Sequence, residues 1–91
     1  MNEKVFVVGI ELNNKASYNR FERNNFGMGV PFKILPGLYC IKTNYSTTCE
    51  ELRDKIANLF SSQCQVFVMK SNIDLAWRLP DNVASWLNMN I

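Results

Sequence analysis

Side chains suited to acid–base or nucleophilic chemistry are scarce in this sequence. It contains no histidine, the residue that most often serves as a general base, as the partner of a nucleophilic serine or cysteine, or as a zinc ligand. Cys40, Cys49 and Cys64 are odd in number and have no CxxC spacing. This pattern is typical of reduced thiols in a cytoplasmic protein. The set of side chains that could take part in catalysis is therefore small.

Positive charge gathers around the first predicted helix. Three basic residues fall in this helix and a fourth in the strand after it: Lys15, Arg20, Arg23 and Lys33. These residues could form a basic strip that contacts phosphates, with Tyr18 or Tyr45 stacking on a base. Glu22 interrupts the strip, and ordinary solvated charge on a helix explains the same pattern. The sequence favours the solvated surface and leaves the nucleic-acid contact open.

Size and charge narrow the classes of protein. The chain has 91 residues and a net charge of +2, from 10 basic and 8 acidic residues, which is too weak to indicate a nucleic-acid binder by itself. Its 47% hydrophobic content is ordinary for a globular protein. No apolar stretch approaches the ~20 residues of a membrane helix, and the first residues show no cleavable signal pattern. We therefore expect one domain over residues 1–91, in the cytoplasm and without a membrane partner.

Two short apolar runs carry the clearest structural signal. Residues 5–10 (VFVVGI) and 66–69 (VFVM) are β-branched or aromatic and too short for helices, so they predict strands. Neither run alternates between apolar and polar residues, which predicts strands buried on both faces. In so small a chain, helices cover one face of the sheet and a partner chain is the economical cover for the other. The pattern therefore predicts a homodimer, with Val8 in the interface.

The other signals complete an alternating order of elements. A helix is predicted at residues 15–24, strands at 31–35 and 38–43, and a last strand at 65–70. The second helix follows Thr47 or Thr48, with Glu50 or Glu51 completing a capping box. The order β-α-β-β-α-β is that of the ferredoxin-like α+β sandwich, in which strands 1 and 3 are central and both helices lie on one face.

A C-terminal extension follows the last predicted strand. Residues 73–79 are compatible with a short edge strand, and Pro80-Asp81 opens a final helix. Trp77 and Trp86 carry large apolar area, so we expect them to pack the extension against the sheet or against a partner chain. Both are therefore candidate dimer contacts.

Four stretches resemble a known group of proteins. They are residues 7–13 (VVGIELN), 37–43 (GLYCIKT), 49–54 (CEELRD) and 76–88 (AWRLPDNVASWLN). Over most of its length the chain is similar to small ferredoxin-fold proteins related to the CRISPR adaptation endonuclease and to toxin endoribonucleases of the virulence-associated protein D kind. The last stretch, with its two tryptophans around Leu79-Pro80, is the most distinctive.

The resemblance implies a metal site at the end of strand 1. In the family an acidic residue stands there, and two such carboxylates in a dimer are proposed to hold a divalent metal. The matching residue is Glu11, which the resemblance makes the catalytic residue and the shared ligand of Mg²⁺ or Mn²⁺, since hard cations take oxygen ligands. The family usually has aspartate there. Glutamate moves the oxygens by about one methylene, and metal-assisted hydrolysis is sensitive to such placement. A solvated carboxylate at a strand end is the competing interpretation.

Two functions follow from these observations. The first is a homodimeric nucleic-acid-associated protein, a weak or inactive metal-dependent endonuclease of a toxin or genome-defence type. The second is a non-catalytic protein-interaction module, a regulator or inhibitor, on the same dimeric scaffold. The resemblance and Glu11 support the first, and the small number of catalytic groups supports the second. Fold alone does not decide between them.

Overall fold

The chain folds into a four-stranded antiparallel sheet with three helices, an α+β architecture. The apolar runs lie in its strands, and the capping residues precede its helices. The computed structural model describes residues 3–60, 64–71 and 76–91. The elements in chain order are β1 (Glu3–Leu12), α1 (Lys15–Arg23), β2 (Phe32–Leu35), β3 (Leu38–Asn44), α2 (Cys49–Phe60), β4 (Cys64–Lys70) and α3 (Asp81–Asn90). The strand order is β2-β3-β1-β4, and each neighbouring pair is antiparallel.

Local hydrogen bonds begin the first two helices. The Asn14 side chain accepts a hydrogen bond from the Ser17 amide at 2.8 Å, which caps α1. At α2, Thr48 Oγ1 accepts from the Glu51 amide at 3.1 Å and Glu51 Oε1 accepts from the Thr48 amide at 3.0 Å. This reciprocal pair is a capping box, and it selects Thr48 and Glu51 from the two pairings that the sequence left open.

The main core lies between α1, α2 and one face of the sheet. Val8 of β1 and Ile41 of β3 are buried there with Phe21 of α1 and with Leu52 and Ile56 of α2. Val8 has no exposed surface within the single chain. Its predicted place in a dimer interface is therefore wrong, because alternation along β1 turns its side chain towards the helices.

The C-terminal helix α3 covers part of the opposite face. Val83 and Leu87 are buried there with Cys40 of β3, and the Trp86 ring stacks on Phe32 of β2. The sequence pattern predicted that a partner chain would cover this face. Over β2, β3 and the first half of β1, the chain's own C-terminal extension covers the face, because it is long enough to return across the sheet as a ten-residue helix.

The outer face of β4 is open within the single chain. Phe67 is 66% exposed and Met69 is 44% exposed, whereas Val66 and Val68 pack against the main core. Burial of both faces of this strand therefore requires a partner chain over Phe67 and Met69, and it stays a prediction. The strand β4 forms the edge of the sheet beside β1. The helix α3 packs nearer the other edge, over β2, β3 and the first half of β1.

The edge strand predicted at residues 73–79 is not formed where the structure describes it. Residues 73–75 lie outside the described residues, and residues 76–79 form no strand.

Among the described helices, none has the length and apolar character that a bilayer crossing requires.

Candidate functional site

A polar cleft of about 620 Å³ opens where β1 ends, beside α1 and the turn between β2 and β3. Two acidic and two basic side chains line it: Glu11, Lys15, Glu22 and Lys33. The side chains of Asn13, Asn14 and Asn19 add amide groups to the lining. The cleft therefore offers donors, acceptors and both signs of charge within one depression.

Two tyrosines order the wall of this cleft. The Tyr39 hydroxyl donates a hydrogen bond to Glu22 Oε2, and the Tyr18 hydroxyl oxygen accepts one from the Leu12 amide at 3.1 Å. Burial raises the pKa of Tyr39 well above its ordinary value, and the hydrogen bond and charge of Glu22 raise it further. The phenol therefore remains a hydrogen-bond donor at physiological pH and holds the Glu22 carboxylate in place.

Sequence reasoning missed the Tyr39–Glu22 contact. It placed Tyr39 within the strand predicted at residues 38–43 and treated Glu22 as an interruption of the basic strip. The two residues are 17 positions apart and belong to different elements, so no local spacing could indicate their contact. The structure instead turns the Glu22 carboxylate towards β3 and makes it part of the cleft wall.

Glu11 lies at the rim of the cleft with an exposed side chain. It pairs with Gln65 across β1 and β4, and it also borders a shallow second cleft that contains Gly9 and Phe67. Within the described residues, no group of three or more histidine, cysteine, aspartate or glutamate side chains could hold a metal ion. The metal site implied by the resemblance would therefore need a carboxylate from a second chain.

The four predicted nucleic-acid contacts fall in two neighbouring depressions. Lys15 and Lys33 line the polar cleft, whereas Arg20 and Arg23 line a shallow hollow along α1. Asn19 lines both depressions. The four cations, three from α1 and one from β2, thus border one continuous surface, which we call the α1 surface.

Of the aromatic candidates, Tyr18 lines the polar cleft and the other three lie elsewhere. Tyr45 is beside the side chain of Lys4, whose Nζ lies 5.2 Å from its ring centroid, and it does not line the cleft. Trp86 is engaged with Phe32 inside the chain, and Trp77 is partly exposed in the segment before α3. Of the three residues predicted to contact a partner, Trp77 alone retains substantial exposure.

Comparisons of this chain with protein-family models, with curated proteins and with solved structures find no match.

Proposed function

We propose that this protein associates with nucleic acid through the α1 surface. The observation that carries the proposal is the continuity of that surface, because Asn19 joins the hollow of Arg20 and Arg23 to the cleft of Lys15 and Lys33. Exposed lysines and arginines on one surface suit the phosphate backbone, and the amides between them suit hydrogen bonds to phosphate oxygens or sugars. The modest net charge of +2 predicts moderate affinity and strong weakening by salt.

Fluorescence anisotropy with single-stranded RNA and duplex DNA tests the proposal. Lys15→Gln, Arg20→Gln and Arg23→Gln should each weaken binding and reduce the slope of log affinity against log salt by about 1. Lys55→Gln removes the same charge from the exposed side of α2 and should have a smaller effect. Absence of binding at low salt, or equal effects of all four substitutions, would reject the α1 surface as the contact.

A homodimer and a ferredoxin-like fold are parts of the same proposal. The strand order β2-β3-β1-β4 with α1 and α2 on one face supports the fold assignment. The exposed pair Phe67 and Met69 supports a dimer, because apolar side chains side by side on a sheet are commonly covered by a partner. Glu11 and Phe67 border the same shallow cleft. Pairing of two copies there would bring two Glu11 carboxylates towards each other.

We also propose that the chain is related to the CRISPR adaptation endonuclease and to virulence-associated protein D-type toxins, and that two Glu11 residues share Mg²⁺ or Mn²⁺. The position of Glu11 supports both proposals, because this residue is exposed at the end of a central strand and at the rim of the polar cleft. Oxygen ligands are those that both metals prefer. Catalysis through this pair depends on the dimer.

A non-catalytic protein-interaction module is the second candidate. The exposed Phe67 and Met69 favour it, together with the lack of a three-residue metal-binding group in the described part of the chain. Phe67→Asp separates the two candidates. If the protein is an interaction module, this change should abolish assembly, and the wild type should bind no nucleic acid. If it is a nucleic-acid binder, the Phe67→Asp monomer should keep measurable affinity through its α1 surface.

A further inference from the structure

An apolar groove of about 310 Å³ lies on the face of the sheet opposite α1 and α2. Val7, Ile34 and Cys40 contribute to its sheet side, and Leu87 of α3 lines it as well. The extended segment before α3 completes the lining with residues 76–79. Its volume lies at the lower end of the ~300–1,000 Å³ range of small-molecule sites, so it suits a small ligand.

Among the described residues that line the groove, one has a charged side chain: Arg78, which is exposed. The other lining residues, Cys40 included, are apolar in character. Burial raises the pKa of the Cys40 thiol to about 11, so it is neutral at physiological pH. An apolar lining that includes one exposed arginine among its described residues is complementary to a molecule that has one apolar part and one anionic end.

We propose that this groove binds a small amphipathic carboxylate, with its hydrocarbon part over Val7, Ile34 and Leu87 and its carboxylate at Arg78. Burial of the hydrocarbon supplies affinity that increases with chain length, and the guanidinium supplies the preference for an anion. The site lies on the other face of the sheet from the main core and is independent of nucleic-acid binding.

Tryptophan fluorescence can report on the site. The chain has two tryptophans; Trp77 lines the groove, whereas Trp86 is stacked on Phe32. Trp86→Phe keeps an aromatic ring on Phe32 and leaves Trp77 as the single reporter. Titration of this variant with hexanoate, octanoate and decanoate should give saturable changes. Affinity should rise up to about fourfold for each added methylene (about 0.8 kcal/mol).

Substitutions distinguish anion recognition from simple apolar binding. In the same background, Arg78→Gln should weaken octanoate binding about fivefold or more and leave 1-octanol binding unchanged. Arg53→Gln on α2, where the side chain pairs with Asp54 at 3.0 Å, is the matched control and should change neither. Ala76→Phe adds bulk at an exposed lining position without adding a tryptophan and should block both ligands, with circular dichroism checking that the fold is kept.

Several outcomes would overturn the inference. They are no saturable signal up to millimolar carboxylate, equal affinity for octanoate and 1-octanol, and no effect of Arg78→Gln. If light scattering shows that a second copy of the chain fills the groove and octanoate does not displace it, the ligand is a protein surface and the proposal is wrong.

Discussion

The indole of Trp86 lies parallel to the ring of Phe32, with centroids 4.5 Å apart and an interplanar angle of 5°. This contact joins α3 to β2, the edge strand furthest from β4. A hydrogen bond of 3.0 Å from Lys42 Nζ to Asn90 Oδ1 adds a second connection between α3 and the sheet. The C-terminal helix therefore closes a second core, on the face of the sheet opposite α1 and α2.

Loss of the Trp86 ring should destabilise the whole domain. We expect Trp86→Ala to lower the free energy of unfolding by roughly 3 kcal/mol, the lower end for truncation of a large aromatic, because the ring is only partly buried. Trp86→Phe should cost less, since it keeps an aromatic pair. Urea denaturation of both variants measures this. An unchanged midpoint for Trp86→Ala would mean that α3 contributes nothing to folding.

Charge substitutions on the two faces of the sheet should have opposite consequences. Val8→Asp places a carboxylate in the main core and should unfold the chain, because an unpaired buried charge costs several kcal/mol. Phe67→Asp changes an exposed side chain and should leave the monomer folded while dissociating any dimer.

Circular dichroism and light scattering of both variants test this difference. Asn82→Asp, at an exposed position of α3, is the control for an added carboxylate away from β4. A wild-type chain that stays monomeric at high concentration would refute the proposed homodimer. A stable dimer of Phe67→Asp would move its interface elsewhere.

Stability should fall in alkaline solution. Burial raises the pKa of Cys40 to about 11 from an ordinary value of 9.0. The folded chain therefore keeps a proton that the unfolded chain loses above pH 9. This contribution is complete below pH 9 and is lost as the pH rises to about 11, by at most about 3 kcal/mol. The raised pKa of Tyr39 acts in the same direction above its ordinary value of 10.0.

Denaturation at several pH values under reducing conditions measures this loss. Cys40→Ala should be less stable near neutral pH because it leaves a small cavity, but its stability should decline less between pH 9 and 10. If the stability of Cys40→Ala declines with pH as steeply as that of the wild type, the alkaline loss comes from another group.

Glu11 is the acid on which metal-dependent cleavage should depend. If two copies share a metal there, wild-type protein with Mg²⁺ or Mn²⁺ should cleave RNA or DNA, and Glu11→Gln should abolish cleavage by removing the charged ligand. Glu50→Gln, on the exposed surface of α2, is the matched control. Cleavage that survives Glu11→Gln would come from another site or a contaminant.

Glu11→Asp measures the effect of side-chain length. Activity gained by this change would mean that the longer glutamate displaces the metal in the wild type. Inactivity of both wild type and Glu11→Asp would favour the interaction module.

The local features of this protein can be predicted from short stretches of its sequence. The Thr48–Glu51 capping box, the apolar face of Leu52 and Ile56, and the β-branched run of β1 are set by spacings of a few residues. The bounds of the helices and strands therefore follow the prediction closely. The four cations of the α1 surface were also named from sequence: three lie close together because they share the short helix α1, whereas the position of Lys33 beside them depends on the packing of β2.

What covers each apolar face depends on contacts between elements that are distant in sequence. Apolar periodicity indicates that a side chain will be buried, but it does not identify the group that buries it. Thus α3 took the place assigned to a partner over Cys40, Val8 turned inwards, and Phe67 remained exposed because β4 lies at the edge of the sheet. The Tyr39–Glu22 contact and the groove at Arg78 arise in the same way, from elements distant in sequence that the fold brings together.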